Sequence, residues 1–513
     1  GTSSSRALVV DESGAILATA QTAIGRTFPR PGWVEQDAVE LWEAQRDAAR
    51  LALAQSGVPI AHVAAVAITN QRETTVLWDR ASGVPIAPAI VWQDRRTAAR
   101  CQELRGAGHE DLIRRRTGLL LDPYFSATKI AWLLDSVPEA RRRAEAGDLA
   151  FGTIDTWLAW QLSGGRLHIT DATNASRTLL YDIHRGDWDD ELLELFDVPR
   201  ALLPEIVDTA GILGYTSAEA LGARLPLGAM IGDQQSSLFG QACTAPGMTK
   251  ATYGTGCFVL MNTGTTAVAS GNGLLTTVAL QRGGRRDYAL EGSVFMAGAT
   301  IQWLRDGLHL IADAADSEPL AAGVPDTGGV YFVPAMAGLG APHWDADARG
   351  AILGITSGTT AAHIARAALE GVAFQVADLC AALAADAGRQ PPELRVDGGA
   401  AASNVLLQTQ ADLLGFCVAR AAQPEATALG AAALGGLALG VWHDVAPMQS
   451  DWHAGRRFEP NAHVARAERF SSWRAAVASG RSNWPMSSRR VRGRPSTASS
   501  RNCKRRILKP REH

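Results

Sequence analysis

Lysine is nearly absent from this chain of 513 residues, which contains only Lys129, Lys250, Lys504 and Lys509. Neither Lys129 nor Lys250 follows a glycine, so the sequence has no P-loop lysine, and it has no V-A-I-K strand either. These absences exclude two common lysine-based ATP sites. A polyphosphate bound by this chain would be held mainly by backbone amides and hydroxyl groups.

Cysteine pairs and metal-binding spacings are missing as well. The six cysteines are scattered without a C-x-x-C pair, and the eleven histidines show no H-E-x-x-H pattern. This argues against a disulfide framework or a zinc site and predicts free thiols in the cytoplasm. Any metal is expected to be Mg²⁺ held by oxygen ligands and phosphate. We see neither an apolar run long enough for a membrane helix nor a signal-peptide pattern.

The charge is unevenly distributed along the chain. Residues 481–513 carry a net charge of +10, which leaves −13 for residues 1–480. The end of the chain is rich in serine, arginine and proline and has no apolar periodicity, so we predict a basic disordered tail over residues 479–513. The acidic body and the lack of regularly spaced aromatic residues in the tail argue against nucleic-acid binding.

The body of the chain alternates strands with helices, which predicts an α/β protein. Residues 7–10 and 15–18 are expected to form a hairpin, and residues 37–56 a helix with Asp37 and Glu40 as a capping box. Further strands are expected at 63–69 and 74–79, and further helices near 127–135, 187–195, 298–311, 361–385 and 402–414.

An acid follows the apolar strand within residues 225–240, L-P-L-G-A-M-I-G-D-Q-Q-S-S-L-F-G. In α/β sheets, ligands bind at the carboxyl ends of the strands. Asp233 is therefore placed to accept a proton from a substrate hydroxyl, with Gln234 beside it. The alternative is that Asp233 only caps the helix that follows.

A Gly-Thr turn that opens a hairpin occurs twice, at Gly1-Thr2-Ser3 and at Gly254-Thr255-Gly256. Glycine lets backbone amides approach an anion, and threonine adds a hydroxyl donor. Two such turns, one in each domain, would hold a polyphosphate in the cleft between them. The alternative is a pair of unrelated hairpin turns.

Polar and aromatic residues at other strand ends and turns could line a small pocket. Arg72 and Glu73 follow the predicted strand 63–69, where a guanidinium and a carboxylate can bind a polyol or form a surface ion pair. Trp92 ends an apolar strand and Tyr124 follows a turn, so each could face either a ligand or the core.

Two Gly-polar pairs have a spacing of four residues, Gly298 with Gln302 and Gly399 with Ser403. Residues four apart share one face of a helix. A glycine there would let a flat ring approach while its polar partner makes a hydrogen bond. The alternative for both pairs is close helix packing.

Together, these motifs resemble the carbohydrate-kinase family built on the actin-like ATPase fold, in particular its glycerol-phosphorylating branch, over residues 1 to about 476. The resemblance implies two actin-like (ribonuclease H-like) ATPase domains around an interdomain cleft, at 1–240 and 241–478. The motifs that carry it are I-T-N-Q-R-E-T-T, A-I-V-W-Q-D-R-R-T, D-P-Y-F-S-A-T-K, T-D-A-T-N-A-S-R-T, G-D-Q-Q, T-Y-G-T-G-C-F, M-A-G-A-T-I-Q-W-L-R-D and R-V-D-G-G-A.

The resemblance also implies an activity: ATP-dependent phosphorylation of glycerol to sn-glycerol 3-phosphate, with Mg²⁺, Asp233 as general base and a homodimer or homotetramer as the assembly. The residues implied to bind glycerol are Arg72, Glu73, Trp92, Tyr124, Asp233, Gln234 and Phe258. The residues implied to bind ATP are Thr2, Ser3, Ser4, Arg6, Thr255, Gly298, Gln302, Gly399 and Ser403.

The sequence departs from the family at three places, one of which is residues 218–227, where the regulatory elements of some family members are missing. The family's first strand ends in Asp-x-Gly-Thr, whereas this sequence opens at the Gly-Thr, so we expect the first strand of domain one to be missing and its neighbours to be unpaired. Ser403 stands where the family usually has asparagine. Two alternatives therefore stay open: a sister kinase for a pentulose or another polyol, and a catalytically impaired fragment that binds nucleotide only.

Overall fold

The computed structural model describes residues 1–345, 347–443, 452–461 and 466–482. Its α-helices are α1 (Ala38–Ser56), α2 (Ala98–Gly106), α3 (Glu110–Thr117), α4 (Ser126–Ser136), α5 (Ala140–Glu145), α6 (Ile154–Ser163), α7 (Ala172–Ala175), α8 (Asp190–Phe196), α9 (Ala218–Leu221), α10 (Asp233–Gly240), α11 (Gly298–Asp306), α12 (Ser317–Ala322), α13 (Ala361–Ala387), α14 (Asn404–Leu414), α15 (Ala426–Ala438) and α16 (Arg466–Ser482).

The strands, in chain order, are β1 (Ser4–Val10), β2 (Ile16–Ala23), β3 (Glu35–Gln36), β4 (Val66–Asn70), β5 (Val76–Asp79), β6 (Ala89–Ile90), β7 (Leu149–Gly152), β8 (Ile169–Asp171), β9 (Tyr181–Asp182), β10 (Asp187–Trp188), β11 (Glu205–Val207), β12 (Ala210–Tyr215), β13 (Pro226–Gly232), β14 (Thr249–Tyr253), β15 (Cys257–Gly264), β16 (Leu275–Arg282), β17 (Arg285–Val294), β18 (Tyr331–Val333), β19 (Ala351–Leu353), β20 (Leu394–Asp397), β21 (Val418–Ala421) and β22 (Ala454–Phe458). This mixture confirms the predicted α/β class.

The N-terminal half, residues 1–240, contains several small sheets. The predicted hairpin is present as the antiparallel pair β1–β2, and a second sheet has the order β12-β13-β4, with β4 and β13 parallel. In the part of the chain that the structure describes, β1 pairs only with β2, and β4 only with β13. A cavity of about 600 Å³ lies between them, lined by apolar residues such as Val9, Ile68 and Ala431. Each of these two strands therefore has one edge without a strand partner among the described residues.

The C-terminal half, from residue 241 to residue 482, is built on a seven-stranded sheet of order β16-β17-β15-β14-β20-β21-β22. The central pairs β14–β20 and β20–β21 are parallel, and the outer pairs are antiparallel. Helix α13 packs against β15, β17 and α14.

By length and composition α13 could cross a membrane, so the expectation that no apolar run is this long was wrong. Its most apolar window is 83% buried inside the protein, as in the core helix of a globular domain.

Helix α1 begins one residue later than predicted, and its capping box is only half formed. The side chain of Asp37 accepts hydrogen bonds from the backbone amides of Val39 and Glu40, at 2.8 and 3.3 Å. The carboxylate of Glu40 does not return the bond to Asp37 but accepts from the amide of Gly25 at 2.8 Å. The box is therefore replaced by one cap and one contact to the end of the hairpin.

Three other boundaries differ from the predictions. The helix expected near 187–195 begins only at Asp190, because residues 187–188 pair as strand β10 with β9. The helix expected near 298–311 ends at Asp306. The predicted tail begins too early, since α16 continues to Ser482, and residues 483–513 lie outside the described residues.

Parallel pairing brings the carboxyl ends of distant strands together. In the N-terminal half, Gly232 at the end of β13 is in register with Asn70 at the end of β4. In the C-terminal half, Thr252 in β14 is in register with Asp397 at the end of β20. The segments that follow these strands therefore emerge side by side, where α/β proteins carry their sites.

A histidine in the N-terminal half is held neutral by its surroundings. The ring of His168 makes edge contacts with Trp78 and Trp160, with centroids 5.6 and 6.1 Å away. Its Nε2 lies 2.8 Å from the carbonyl of Phe151 and its Nδ1 lies 3.1 Å from the guanidinium of Arg80. Nε2 must therefore donate and Nδ1 must accept. Burial lowers the pKa of His168 to about 4.

We expect this histidine to destabilise the fold in acid. Its folded pKa, about 4, lies below the ordinary value of 6.5, so its contribution is fully present above pH 6.5 and is lost as the pH falls towards 4. His168→Gln keeps a donor for Phe151 but does not titrate. Urea unfolding between pH 7 and 4.5 should give a flatter dependence for this variant than for the wild type.

The matched control is His62→Gln, because His62 is exposed. This control should keep the slope of the wild type. An unchanged slope in His168→Gln would contradict the assignment.

Candidate active site

Arg72, Glu73 and Asp233 meet where β4 and β13 end. The Nε of Arg72 lies 3.3 Å from Oδ1 of Asp233 and 3.6 Å from Oε1 of Glu73. Asp233 is the first residue of α10, and Gly232 holds the cap position, so Asp233 is not the N-cap residue. Its side chain is 35% exposed, whereas those of Arg72 and Glu73 are 1% and 2% exposed. Asp233 is therefore the most exposed side chain of this group.

Three aromatic side chains stand next to this group. The ring of Trp92 makes edge contacts with Tyr124 and Phe258, with centroids 5.7 and 6.4 Å away. Phe258 belongs to β15, so residues from both halves form this aromatic wall. Burial, followed by the charge of Glu73, raises the pKa of Tyr124 well above its usual value. Its hydroxyl therefore stays protonated and can donate a hydrogen bond.

The second Gly-Thr turn packs closely against the start of α11. The carbonyls of Gly254 and Thr255 accept hydrogen bonds from the amides of Gly298 and Ala297, both at 2.9 Å. A Cβ on Gly298 would lie only 2.6 Å from the carbonyl oxygen of Gly254, so glycine is required there for packing. At Gly399, in contrast, a Cβ would meet no atom within 4 Å. That backbone faces open space and can be approached by a ligand.

Several residues predicted to bind ATP have polar groups that already contact the protein. Arg6 binds the side chains of Gln21 and Glu425. Ser403 caps α14 by accepting from the amide of Leu406 at 3.1 Å, and its hydroxyl contacts Glu318. These partners compete with any nucleotide, and ATP binding by Arg6 and Ser403 stays a prediction.

The remaining predicted nucleotide residues lie near the two turns. The hydroxyl of Thr2 accepts a hydrogen bond from Nε1 of Trp92 at 2.9 Å, which joins the first turn to the aromatic wall. Ser3 precedes β1, which begins at Ser4. Gln302 lies on α11 and is exposed. The structure thus joins Thr2 to the aromatic wall. The roles of Ser3, Ser4 and Gln302 stay predictions.

Arg177 and Glu291 complete a buried charge cluster that the sequence did not predict. Glu291 accepts from both terminal nitrogens of Arg72, at 2.6 and 2.9 Å, and from Nη2 of Arg177 at 3.0 Å. The Nε of Arg177 donates to Oε1 of Glu73 at 2.8 Å. We call Arg72, Glu73, Arg177 and Glu291 the charge cluster. Their side chains are at most 2% exposed.

The charges of this cluster balance one another. Burial alone would raise the pKa of Glu291, but Arg177 and Arg72 outweigh it and lower the pKa to about 2. Arg177 lies in a motif that carried the family resemblance, so it could have been suspected. Glu291 lies in the strand R-R-D-Y-A-L-E-G-S-V, where no local pattern marks it as part of a site.

Both lysines of the body support residues of the site. Lys129 donates to the backbone carbonyls of Glu73 and Tyr124, each at 2.8 Å. Lys250 donates to Oε1 of Gln234 at 2.6 Å. Burial lowers the pKa of Lys129 to about 7 and also lowers the pKa of Lys250. The scarcity of lysine in the sequence was a signal that could have pointed to these two residues.

Asp397 is a further acid near the site. One oxygen of its carboxylate accepts from the hydroxyl of Ser237 at 3.3 Å, and the other, Oδ1, is buried without a hydrogen-bond partner among the described residues. Asp397 and Asp233 both act electrostatically on Lys250. The described part of the chain has no group of three or more His, Cys, Asp or Glu side chains that could hold a metal ion. A metal here would need oxygens from a ligand.

Comparison with known proteins finds close relatives over most of the chain. "Glycerol kinase" of Dechloromonas aromatica is 59% identical over 93% of this chain and 95% of that protein. "Glycerol kinase" of Rhodopirellula baltica is 56% identical over 93% of this chain and 89% of that protein. A crystal structure of Plasmodium falciparum glycerol kinase with ADP is 34% identical, with a TM-score of 0.88 over 93% of this chain and 96% of that one.

More distant structures share the fold alone. One of them, a xylulose kinase from Rhodospirillum rubrum, is 24% identical, with a TM-score of 0.80 over 93% of this chain and 96% of that one. The N-terminal domain model of the FGGY family of carbohydrate kinases matches residues 1–240, and its C-terminal domain model matches residues 249–439. The predicted fold of two actin-like ATPase domains is confirmed, while the boundaries 241–478 of the second domain stay a prediction. The chain belongs to the FGGY family of carbohydrate kinases.

Proposed function

We propose that this chain transfers the γ-phosphoryl group of ATP to glycerol and forms sn-glycerol 3-phosphate, as a step of glycerol catabolism. The relatives that are 59% and 56% identical to it are named glycerol kinase. The observation that carries the proposal is the contact of Arg72 with both Glu73 and Asp233 beside the aromatic wall. A pocket with a guanidinium and carboxylates on one side and aromatic rings on the other suits a short polyol.

Glycerol would be bound through its hydroxyl groups on one side and its carbon chain on the other. Arg72 and the hydroxyl of Tyr124 would donate to glycerol oxygens, and Glu73 would accept from a glycerol hydroxyl. Trp92 and Phe258 would contact the carbon atoms. The side-chain oxygen of Gln234 already accepts from Lys250, and its NH₂ group would donate to a glycerol oxygen.

Asp233 would act as the general base. Its carboxylate accepts the proton of a terminal hydroxyl as that oxygen attacks the γ-phosphorus, and the bond from phosphorus to the oxygen of ADP breaks in line. The Nε of Arg72, 3.3 Å from Oδ1 of Asp233, would hold this carboxylate in place beside the substrate hydroxyl. Positioning of the two substrates supplies much of the rate enhancement in phosphoryl transfer.

ATP would lie between the two Gly-Thr turns. Thr255 and the open backbone at Gly399 would contact it from the C-terminal half, and Thr2 from the N-terminal half. Mg²⁺, when bound with ATP, neutralises charge on the phosphates. The unpaired buried oxygen of Asp397 suits such an ion, so Asp397 would hold it together with the phosphates. A homodimer or homotetramer and a cytoplasmic location stay predictions.

The substrate panel is the first test. With Mg²⁺ and ATP, the chain should release ADP with glycerol and much less with xylulose or ribulose, because the relatives 59% and 56% identical to it are named glycerol kinase. Coupled measurement of ADP release gives kcat/KM for each substrate. A preference for a pentulose would make this a sister kinase, and nucleotide binding without turnover would make it a binder only.

Asp233→Asn should lower kcat by about 10²–10⁴-fold, the usual contribution of a general base, and leave the affinity for glycerol nearly unchanged. The variant keeps the shape of the side chain but cannot accept the proton. Steady-state kinetics and glycerol binding by calorimetry check the two parts separately.

Asp190→Asn is the matched control, since Asp190 is also the first residue of a helix and its side chain is 77% exposed. This control should keep the kcat of the wild type. A kcat for Asp233→Asn close to that of the control would contradict the role of Asp233.

A further inference from the structure

We propose that Glu291 and Arg177 are positioning residues for glycerol, which orient Arg72 and Glu73 without touching the substrate themselves. The inference rests on the proposed function and extends it to two residues outside the predicted site. Arg72 and Glu73 stand at the end of β4 in the N-terminal half, whereas Glu291 comes from β17 of the C-terminal sheet. The glycerol site is thus completed across the interface between the halves.

The first step of the argument is the orientation of Arg72. Glu291 binds Nη1 and Nη2 of Arg72 at 2.6 and 2.9 Å, in a bidentate pair. Because a guanidinium is planar, fixing two of its nitrogens also fixes the direction of the third. The Nε that remains is the atom 3.3 Å from Asp233. Glu291, together with Gln235, which accepts from Nη1 of Arg72 at 3.2 Å, therefore determines which donor of Arg72 faces the base.

The second step is the orientation of Glu73 and Tyr124. Arg177 holds Oε1 of Glu73 at 2.8 Å, and its guanidinium carbon lies 5.9 Å from the centre of the Tyr124 ring. The Nη2 of Arg177 also binds Glu291 at 3.0 Å. One arginine therefore joins two residues of the proposed glycerol site to the carboxylate that holds Arg72.

The third step is the charge balance of the cluster. Two guanidinium groups face two carboxylates, and all four side chains are at most 2% exposed. Removing one charge would leave another buried and uncompensated, which destabilises the protein whatever the role of the residue. A test of positioning must therefore change two opposite charges together.

The variant for the test is Arg177→Gln/Glu291→Gln, which keeps the cluster neutral and similar in shape. We expect the dissociation constant for glycerol, measured by calorimetry, to rise about 10–100-fold, which corresponds to the loss of one hydrogen bond to a charged group. The KM for ATP should stay within about twofold of the wild type. Among the described hydrogen bonds and ion pairs of the charge cluster, none involves a residue that is predicted to bind ATP. A folded double variant with wild-type affinity for glycerol would overturn the proposal.

Glu370→Gln is the matched control. Glu370 also lies in the C-terminal half, is buried and binds two arginines, Arg366 at 3.1 Å and Arg469 at 2.5 Å. This control should lower Tm without changing the affinity for glycerol. Equal weakening of glycerol binding in Glu370→Gln would show that lost stability is the cause, and would overturn the proposal.

Two further measurements separate the remaining outcomes. If the wild type binds no glycerol, the proposed function fails, whatever the variants do. If the double variant does not fold, Glu291→Asp takes its place. This variant keeps the charge but shortens the side chain by one methylene, so it cannot bind both terminal nitrogens of Arg72 as before. The dissociation constant for glycerol should again rise about 10–100-fold, and an unchanged affinity for glycerol would again overturn the proposal.

Discussion

Two guanidinium groups and two carboxylates lie in the interior between the halves of this protein, and only their mutual pairing makes this burial tolerable. Water no longer solvates Arg72, Glu73, Arg177 or Glu291, so each charge must be compensated by a neighbour. The pairs Arg72–Glu291 and Arg177–Glu73 meet this requirement. The same pairs fix the groups that face Asp233. The geometry of the site therefore depends on the pairing of buried charges.

The parallel strands supply the other constraint. Register between β4 and β13 delivers Arg72 and Asp233 to one edge, and register between β14 and β20 delivers Thr255 and Gly399 to another. Arg72 and Asp233 follow apolar strands in the sequence, so the rule that α/β sheets bind ligands at the carboxyl ends of strands was enough to predict them as site residues. Thr255 and Gly399 were predicted instead from the repeated Gly-Thr turn and from the four-residue spacing to Ser403. The α/β class, the hairpin and helix α1 could also be predicted, because each of them has a local sequence pattern.

What the sequence could not predict depends on contacts between distant segments. Glu291 lies 219 positions from Arg72, in a strand whose alternation looks ordinary. Residues 187–188 became a strand because they pair with β9, which no local pattern indicated. The polar groups of Arg6 and Ser403 are already bound to Glu425 and Glu318. A sequence identifies the polar groups, but only the fold shows which of them already have hydrogen-bond or ion-pair partners.

Both lysines of the body, Lys129 and Lys250, contact residues of the site. A lysine is a flexible point charge, which fits poorly into a site where donors must keep fixed directions. Lys129 and Lys250 are exceptions because both are buried, and each donates to two oxygens. Lys129 joins the backbones of Glu73 and Tyr124, and Lys250 holds the residue next to Asp233. Like Glu291 and Arg177, they act on the site through other residues, so the directional precision of the exposed groups depends on charges that the ligand never meets.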